Sequence, residues 1–159
     1  GFRIGWMILS GNKRIAADYI EGIKMLSNMR LCSNVPAQSI VQTALGGHQS
    51  VRDYIAPGGR IYEQREYIYQ ALTDIPGITA VKPKAAFYIF PKLDVRKFRI
   101  TDDEKFVLDL LKDKKILLIH GGGFNWNQPD HFRVVYLPRL EVLKESVEKI
   151  ADFLSYYHQ

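Results

Sequence analysis

The most informative stretch of this sequence is His131-Phe132-Arg133-Val134-Val135-Tyr136-Leu137-Pro138, an apolar strand pattern with one arginine inside it. Alternation along a strand puts Arg133 on one face with Val135 and Leu137, and Phe132, Val134 and Tyr136 on the other. Both faces then read as apolar, as in a strand covered on both sides. A guanidinium in that setting needs an acceptor, because an unpaired buried charge costs several kcal/mol. Two acceptors satisfy it: an internal Asp or Glu, or the carboxylate of a ligand held in the two-pronged geometry that arginine offers. Arg3, between Gly1 and Gly5, is a second candidate. The glycines allow close backbone approach, as a phosphate site would want, although an arginine in such a place also reads as a plain surface charge.

Other residues with chemical potential carry less. Gly121-Gly122-Gly123-Phe124 either cradles an anion through backbone amides or connects two strands flexibly. His48, His120, His131 and His158 lack metal-ligand spacing, and no metal site is expected. Cys32 is the sole cysteine, so an internal disulfide is excluded. It is expected to be a buried thiol in a reducing compartment, with the cytoplasm as the default. No P-loop and no GxGxxG motif is present. The formal charge of +5 is spread without a basic run, which argues against a nucleic-acid partner. No apolar stretch reaches the roughly 20 residues of a membrane span.

These residues must be positioned by a chain of 159 residues, 47% hydrophobic and 25% charged, enough for a real core. Helical periodicity runs from Ala16 to Leu26, from about Pro36 to Leu45, and from about Arg60 to Thr73. Pro57-Gly58-Gly59 separates the last of these from what precedes it. Ile78–Val81, Ala85–Phe90, Lys115–Ile119 and Phe132–Leu137 read as short strands. Thr101-Asp102-Asp103-Glu104 reads as a capping box that opens a helix. Leu140, Leu143, Val147, Ile150, Leu154 and Tyr157 form one stripe of a final helix. The predicted class is α+β, a short sheet packed by helices, with a boundary near Pro57 to Arg60. Residues 2–9, Phe2 to Leu9, read as an interior strand, and this apolar opening is expected to continue from a segment upstream.

Four stretches, in order, resemble the class I and II aminotransferases of the aspartate-aminotransferase-like fold. "GFRIGW" is similar to the segment that follows the Schiff-base lysine in that family. "LCSNVPAQ" resembles the loop and helix after its first long helix, and "KAAFYIFPKLD" its Gly-Ala-Phe-Tyr-x-Phe-Pro strand. "GGGFNWNQPDHFRVVYLPRL" resembles the loop and strand bearing the substrate-carboxylate arginine. Asn28–Cys32 and Gly58–Arg65 echo the bacterial glutamate–pyruvate (alanine) group. The resemblance implies that residues 1–56 end the large cofactor-binding domain and residues 57–159 form the small C-terminal domain. It implies that Arg3 binds the phosphate of pyridoxal 5'-phosphate and Arg133 the substrate α-carboxylate. The Schiff-base lysine would lie upstream of Gly1, so no catalytic residue is assigned here, and the chain alone is expected to be inactive. Alanine and 2-oxoglutarate are the implied amino acid and 2-oxo acid substrates, and a homodimer the implied assembly. Ala85 replaces a frequent glycine and His120 a frequent proline, so the pocket wall is expected to differ. The alternative is a non-enzymatic α+β module that binds a small carboxylate or a partner chain.

Overall fold

A computed structural model describes residues 3–159, in two compact units, Gly1–Ser50 and Val51–Gln159. In the first, a 3-10 turn at Lys13–Ala16 leads into helix α1 (Ala17–Arg30), followed by α2 (Val35–Gly46). Asn12 and Asn34 accept from the backbone amides of Arg14 and Ala37, which fixes the starts of the 3-10 turn and of α2. Pro36 sits in the first turn of α2, where its missing N–H is harmless. Ala37 is the one buried residue among the described residues of this unit. The expected strand over residues 2–9 is not found: Phe2 lies outside the described residues, and residues 3–9 belong to no strand. A strand is a pairing, and among the described residues nothing offers an edge to it.

The second unit holds the core. Helices α3 (Val51–Ile55) and α4 (Arg60–Thr73) lead to β1 (Ile78–Thr79), β2 (Tyr88–Ile89) and β3 (Lys92–Leu93). Then come α5 (Val95–Phe98), α6 (Asp103–Lys114), β4 (Ile119–His120), β5 (Phe132–Val135) and α7 (Leu140–Tyr156). β5 is the centre of an antiparallel three-stranded sheet in the order β2-β5-β4, and β1 pairs antiparallel with β3. The sheet buries Ile89, Phe132, Val134 and Tyr136 against Ile68 and Leu72 of α4, Phe106 and Leu110 of α6, and Leu143, Val147, Ile150 and Leu154 of α7. Four residues of the expected stripe, Leu143, Val147, Ile150 and Leu154, therefore lie in the core, while Leu140 and Tyr157 are half-buried.

The strands are shorter than their patterns. Lys115 is the left-handed cap of α6 and Leu117 is exposed, so of residues 115–119 only Ile119 pairs, together with His120 beyond them. Val81 is also exposed, and pairing in its segment stops at Thr79. β3 and α5 lie in a stretch to which the sequence pattern assigned no element. β5 is buried on one face only: Phe132 and Val134 are inside, whereas Val135 is exposed. The expectation of a strand covered on both sides is corrected accordingly.

The start of α6 also differs. Its N-cap is Asp102, which accepts from the Lys105 amide at 2.9 Å. Thr101 cannot play that part because its amide and hydroxyl both donate to Gln159 Oε1, at 2.6 and 2.8 Å. Asp102→Ala should cost about 1 kcal/mol, a fall in Tm of about 4–8 °C, and Asp102→Asn should restore most of it. A thermal melt checks this; equal loss in both variants would show that charge, rather than the cap bond, matters.

Candidate carboxylate-binding site

β5 is held in register from both ends. Its Val135 faces Tyr88 of β2 and its Arg133 faces Ile119 of β4. Past the strand, the Tyr136 amide donates to Phe87 O at 3.1 Å and its hydroxyl to Ala86 O at 3.0 Å. Ala86 has φ of 58°, a left-handed backbone that an alanine adopts at a cost of about 1 kcal/mol. The Tyr136 bond helps hold that bend and so aims β2. Arg60 of α4 donates to Leu137 O at 2.5 Å, and Gln64, 2% exposed, reaches the carbonyls of Leu137 and Pro138. The two residues are one helical turn apart, which is why one face of α4 can grip the strand's exit.

This frame puts the Arg133 side chain on the half-open face of the sheet. Its guanidinium carbon lies 4.3 Å from the centroid of the Phe124 ring and 4.6 Å from that of Tyr88. Both rings are thus within cation–π distance of the charge. Arg133 Nε is buried without a hydrogen-bond partner, and among the described residues no carboxylate lies within ion-pairing distance of the side chain. The internal acceptor that the sequence left open is thus absent from the described residues. A cation set against two rings with no internal carboxylate keeps its planar donors for a ligand, and a planar carboxylate suits them.

The loop that supplies Phe124 is fixed by polar contacts. Gly121–Phe124 forms a 3-10 turn. Gly121 N donates to His131 O at 2.8 Å, and Gly122 N to Asp103 Oδ2 at 2.7 Å. With these amides engaged internally, the glycines act as a tight connector rather than an anion cradle. A Cβ on Gly121 would come within 3.0 Å of His131 O, so the residue type follows from close approach. Asp130, 7% exposed, accepts from Trp126 Nε1 at 2.8 Å and bonds His131 Nδ1 at 2.6 Å. Burial works against its charge, but hydrogen bonds from His131, Trp126 and Lys92 prevail and hold its carboxyl below the usual carboxylate range.

Arg3 belongs to the first unit and Arg133 to the second. Arg3 is exposed, has φ of 56°, and makes no ion pair among the described residues. The nearby Gly5 has open space around it. Cys32 is exposed, contrary to expectation, because it lies in the connector after α1 rather than on a packed face. The sequence reading missed Tyr88, Trp126 and Asp130 and noted Phe124 only as the end of a turn. The available signal was the density of rings in "AFYIF" and "FNWNQPDHF", which meet across the sheet.

The family described as "Aminotransferase class I and II" matches residues 1–150. A glutamate-pyruvate aminotransferase AlaA from Haemophilus influenzae is 60% identical over the whole chain, which spans 39% of that protein. An alanine aminotransferase from Mycobacterium tuberculosis is 51% identical, again over the whole chain and 37% of the relative. Among solved structures, an aminotransferase from Escherichia coli superposes with a TM-score of 0.88 at 55% identity, covering 97% of this chain and 38% of the other. An alanine aminotransferase from Pyrococcus furiosus gives 0.76 at 38% identity, over 90% and 35%. The chain therefore spans well under half the length of the proteins it matches.

Proposed function

We propose, from the premise that the chain belongs to the class I and II aminotransferase family, that the whole protein exchanges an amino group between an amino acid and a 2-oxo acid. Alanine and 2-oxoglutarate are the proposed pair, a choice supported by relatives described as glutamate-pyruvate and alanine aminotransferases. The observation that carries the reading is the Arg133 guanidinium, set against two aromatic rings and without an ion pair among the described residues. In this role Arg133 holds the α-carboxylate and so orients the bond to be broken. Arg3 binds the cofactor phosphate. Pyridoxal 5'-phosphate, when bound, supplies the electron sink for the exchange.

Residues 1–56 are proposed as the end of the large domain and residues 57–159 as the small one, with Pro57-Gly58-Gly59 as the joint. A homodimer is proposed too, supported by the apolar side chains that the first unit exposes, among them Trp6, Ile8, Ile15 and Leu31. The single exposed thiol suits a reducing compartment, and we assign the protein to the cytoplasm.

The test is turnover. The whole protein with alanine and 2-oxoglutarate should form pyruvate and glutamate, faster than with aspartate or an aromatic donor. The 159 residues alone are expected to show none, because the resemblance assigns the Schiff-base role to no lysine among them. Borohydride reduction at low pyridoxal 5'-phosphate, followed by peptide mapping, should then find no single lysine labelled stoichiometrically. One such lysine within these residues would overturn the assignment, and a faster aspartate reaction would overturn the choice of donor.

A further inference from the structure

We propose that Asp130 is a positioning residue for carboxylate binding: it fixes Trp126 and His131, which through Phe90 hold the Phe124 ring against the Arg133 guanidinium. The inference rests on the reading of Arg133 as the carboxylate anchor.

The contacts form an unbroken chain. One oxygen of Asp130, Oδ1, receives both Trp126 Nε1 and His131 Nδ1. The two rings meet edge to face with centroids 4.5 Å apart. His131 stacks on Phe90 at 4.8 Å and 23°, and Trp126 meets the same ring edge-on at 6.0 Å. Phe90 in turn packs edge-on against Phe124 at 6.2 Å and 87°. Phe124 is the ring nearer to the guanidinium. The other carboxylate oxygen of Asp130 reaches Lys92 Nζ at 3.3 Å, and its backbone carbonyl accepts from the Leu93 amide at 2.7 Å. The carboxylate is therefore anchored on β3 while its working oxygen orients the rings.

A role in positioning is distinguishable from one in folding because of where the exposed atoms are. Trp126 is 44% exposed and Phe124 42%. Water can take over the indole N–H if Asp130 is lost, whereas the largely buried His131 ring loses a partner, so a modest loss of stability accompanies the loss of affinity. The indole is then free to turn, and with it the stack that ends on Arg133. The loss should appear in ligand affinity, since a misplaced cation forfeits the two-pronged geometry.

The measurement is calorimetric titration of the cofactor-loaded whole protein with glutarate, a carboxylate that has no amino or oxo group to exchange. Asp130→Ala should raise the glutarate Kd about tenfold, with KM for both substrates rising more than kcat falls, and Asp130→Asn, which keeps one acceptor oxygen, should recover part of it. Trp126→Phe removes one donor and should weaken glutarate in the same direction, which keeps the test open if Asp130→Ala folds poorly. Arg133→Ala is the reference. If it weakens glutarate while Asp130→Ala and Trp126→Phe leave Kd unmoved and only lower Tm, the positioning role is overturned and the anchor stands. If Arg133→Ala itself leaves the glutarate Kd unmoved, the anchor reading fails and takes this inference with it.

Discussion

Arg133→Ala in the whole protein is expected to lower kcat/KM for amino acid and oxo acid by about 2–5 kcal/mol, the loss typical of a truncated charge-assisted pair. The structure says why the effect should be large and specific. Arg133 makes no ion pair among the described residues, so no internal carboxylate is stranded when it is removed. What fold stability it contributes comes through the rings of Tyr88 and Phe124, about 0.5–1 kcal/mol each at exposed positions. Catalysis should therefore suffer far more than Tm. Cofactor content should hold, because phosphate is assigned to Arg3. Arg133→Lys should fall between the two, keeping charge but losing the planar fork and the stack. Steady-state kinetics for both substrates, beside a thermal melt and the cofactor absorbance, decide the matter. Unaltered kinetics with a lowered Tm would make Arg133 a structural cation clamped by rings, and the carboxylate role would fall.

Helices were legible whether or not the unit's own core buries a face: the stretches Ala16–Leu26 and Pro36–Leu45 coincide with α1 and α2, of which only Ala37 is buried. The periodicity from Arg60 to Thr73 coincides with α4, and the stripe from Leu140 onward with α7. Both helices bury what their spacing says they should. Strands were legible only as far as a partner exists. The pattern over residues 2–9 is as apolar as that of β5, yet its described part pairs with nothing, because period and composition do not contain the neighbouring strand. Arg133 was legible for a related reason: an arginine inside an apolar alternation is an anomaly that one segment displays unaided. Its surroundings were not. Tyr88, Phe124 and Asp130 come from separate stretches, and only the register of β2 and β5 and the closure of the glycine turn bring them together. Arg3 stands differently again, since its phosphate role came from family resemblance and its own exposed position adds little.

Phe132→Ala is expected to be the most destabilising single change on this strand, at about 3–5 kcal/mol. Phe132 is fully buried and packs against Phe106 with centroids 5.7 Å apart. Phe106 itself meets Phe153 and Tyr157 of the C-terminal segment at 6.1 and 5.9 Å. Truncation would thus open a cavity where sheet, α6 and α7 converge, and backbone pairing on both sides of β5 resists the collapse that could refill it. Against a domain stability of about 5–15 kcal/mol, that loss should lower Tm by more than about 10 °C and speed proteolysis of the second unit. Phe132→Leu keeps most of the volume and should cost less than about 1.5 kcal/mol. The neighbour one position on behaves in the opposite way, because a strand turns successive side chains to opposite faces. Phe132 serves the core and should move stability, whereas Arg133 serves the open face and should move affinity. Melts and glutarate titrations of the two single variants test that division directly. If Phe132→Ala costs under about 1 kcal/mol while Arg133→Ala unfolds the protein, the faces of β5 are assigned the wrong way round.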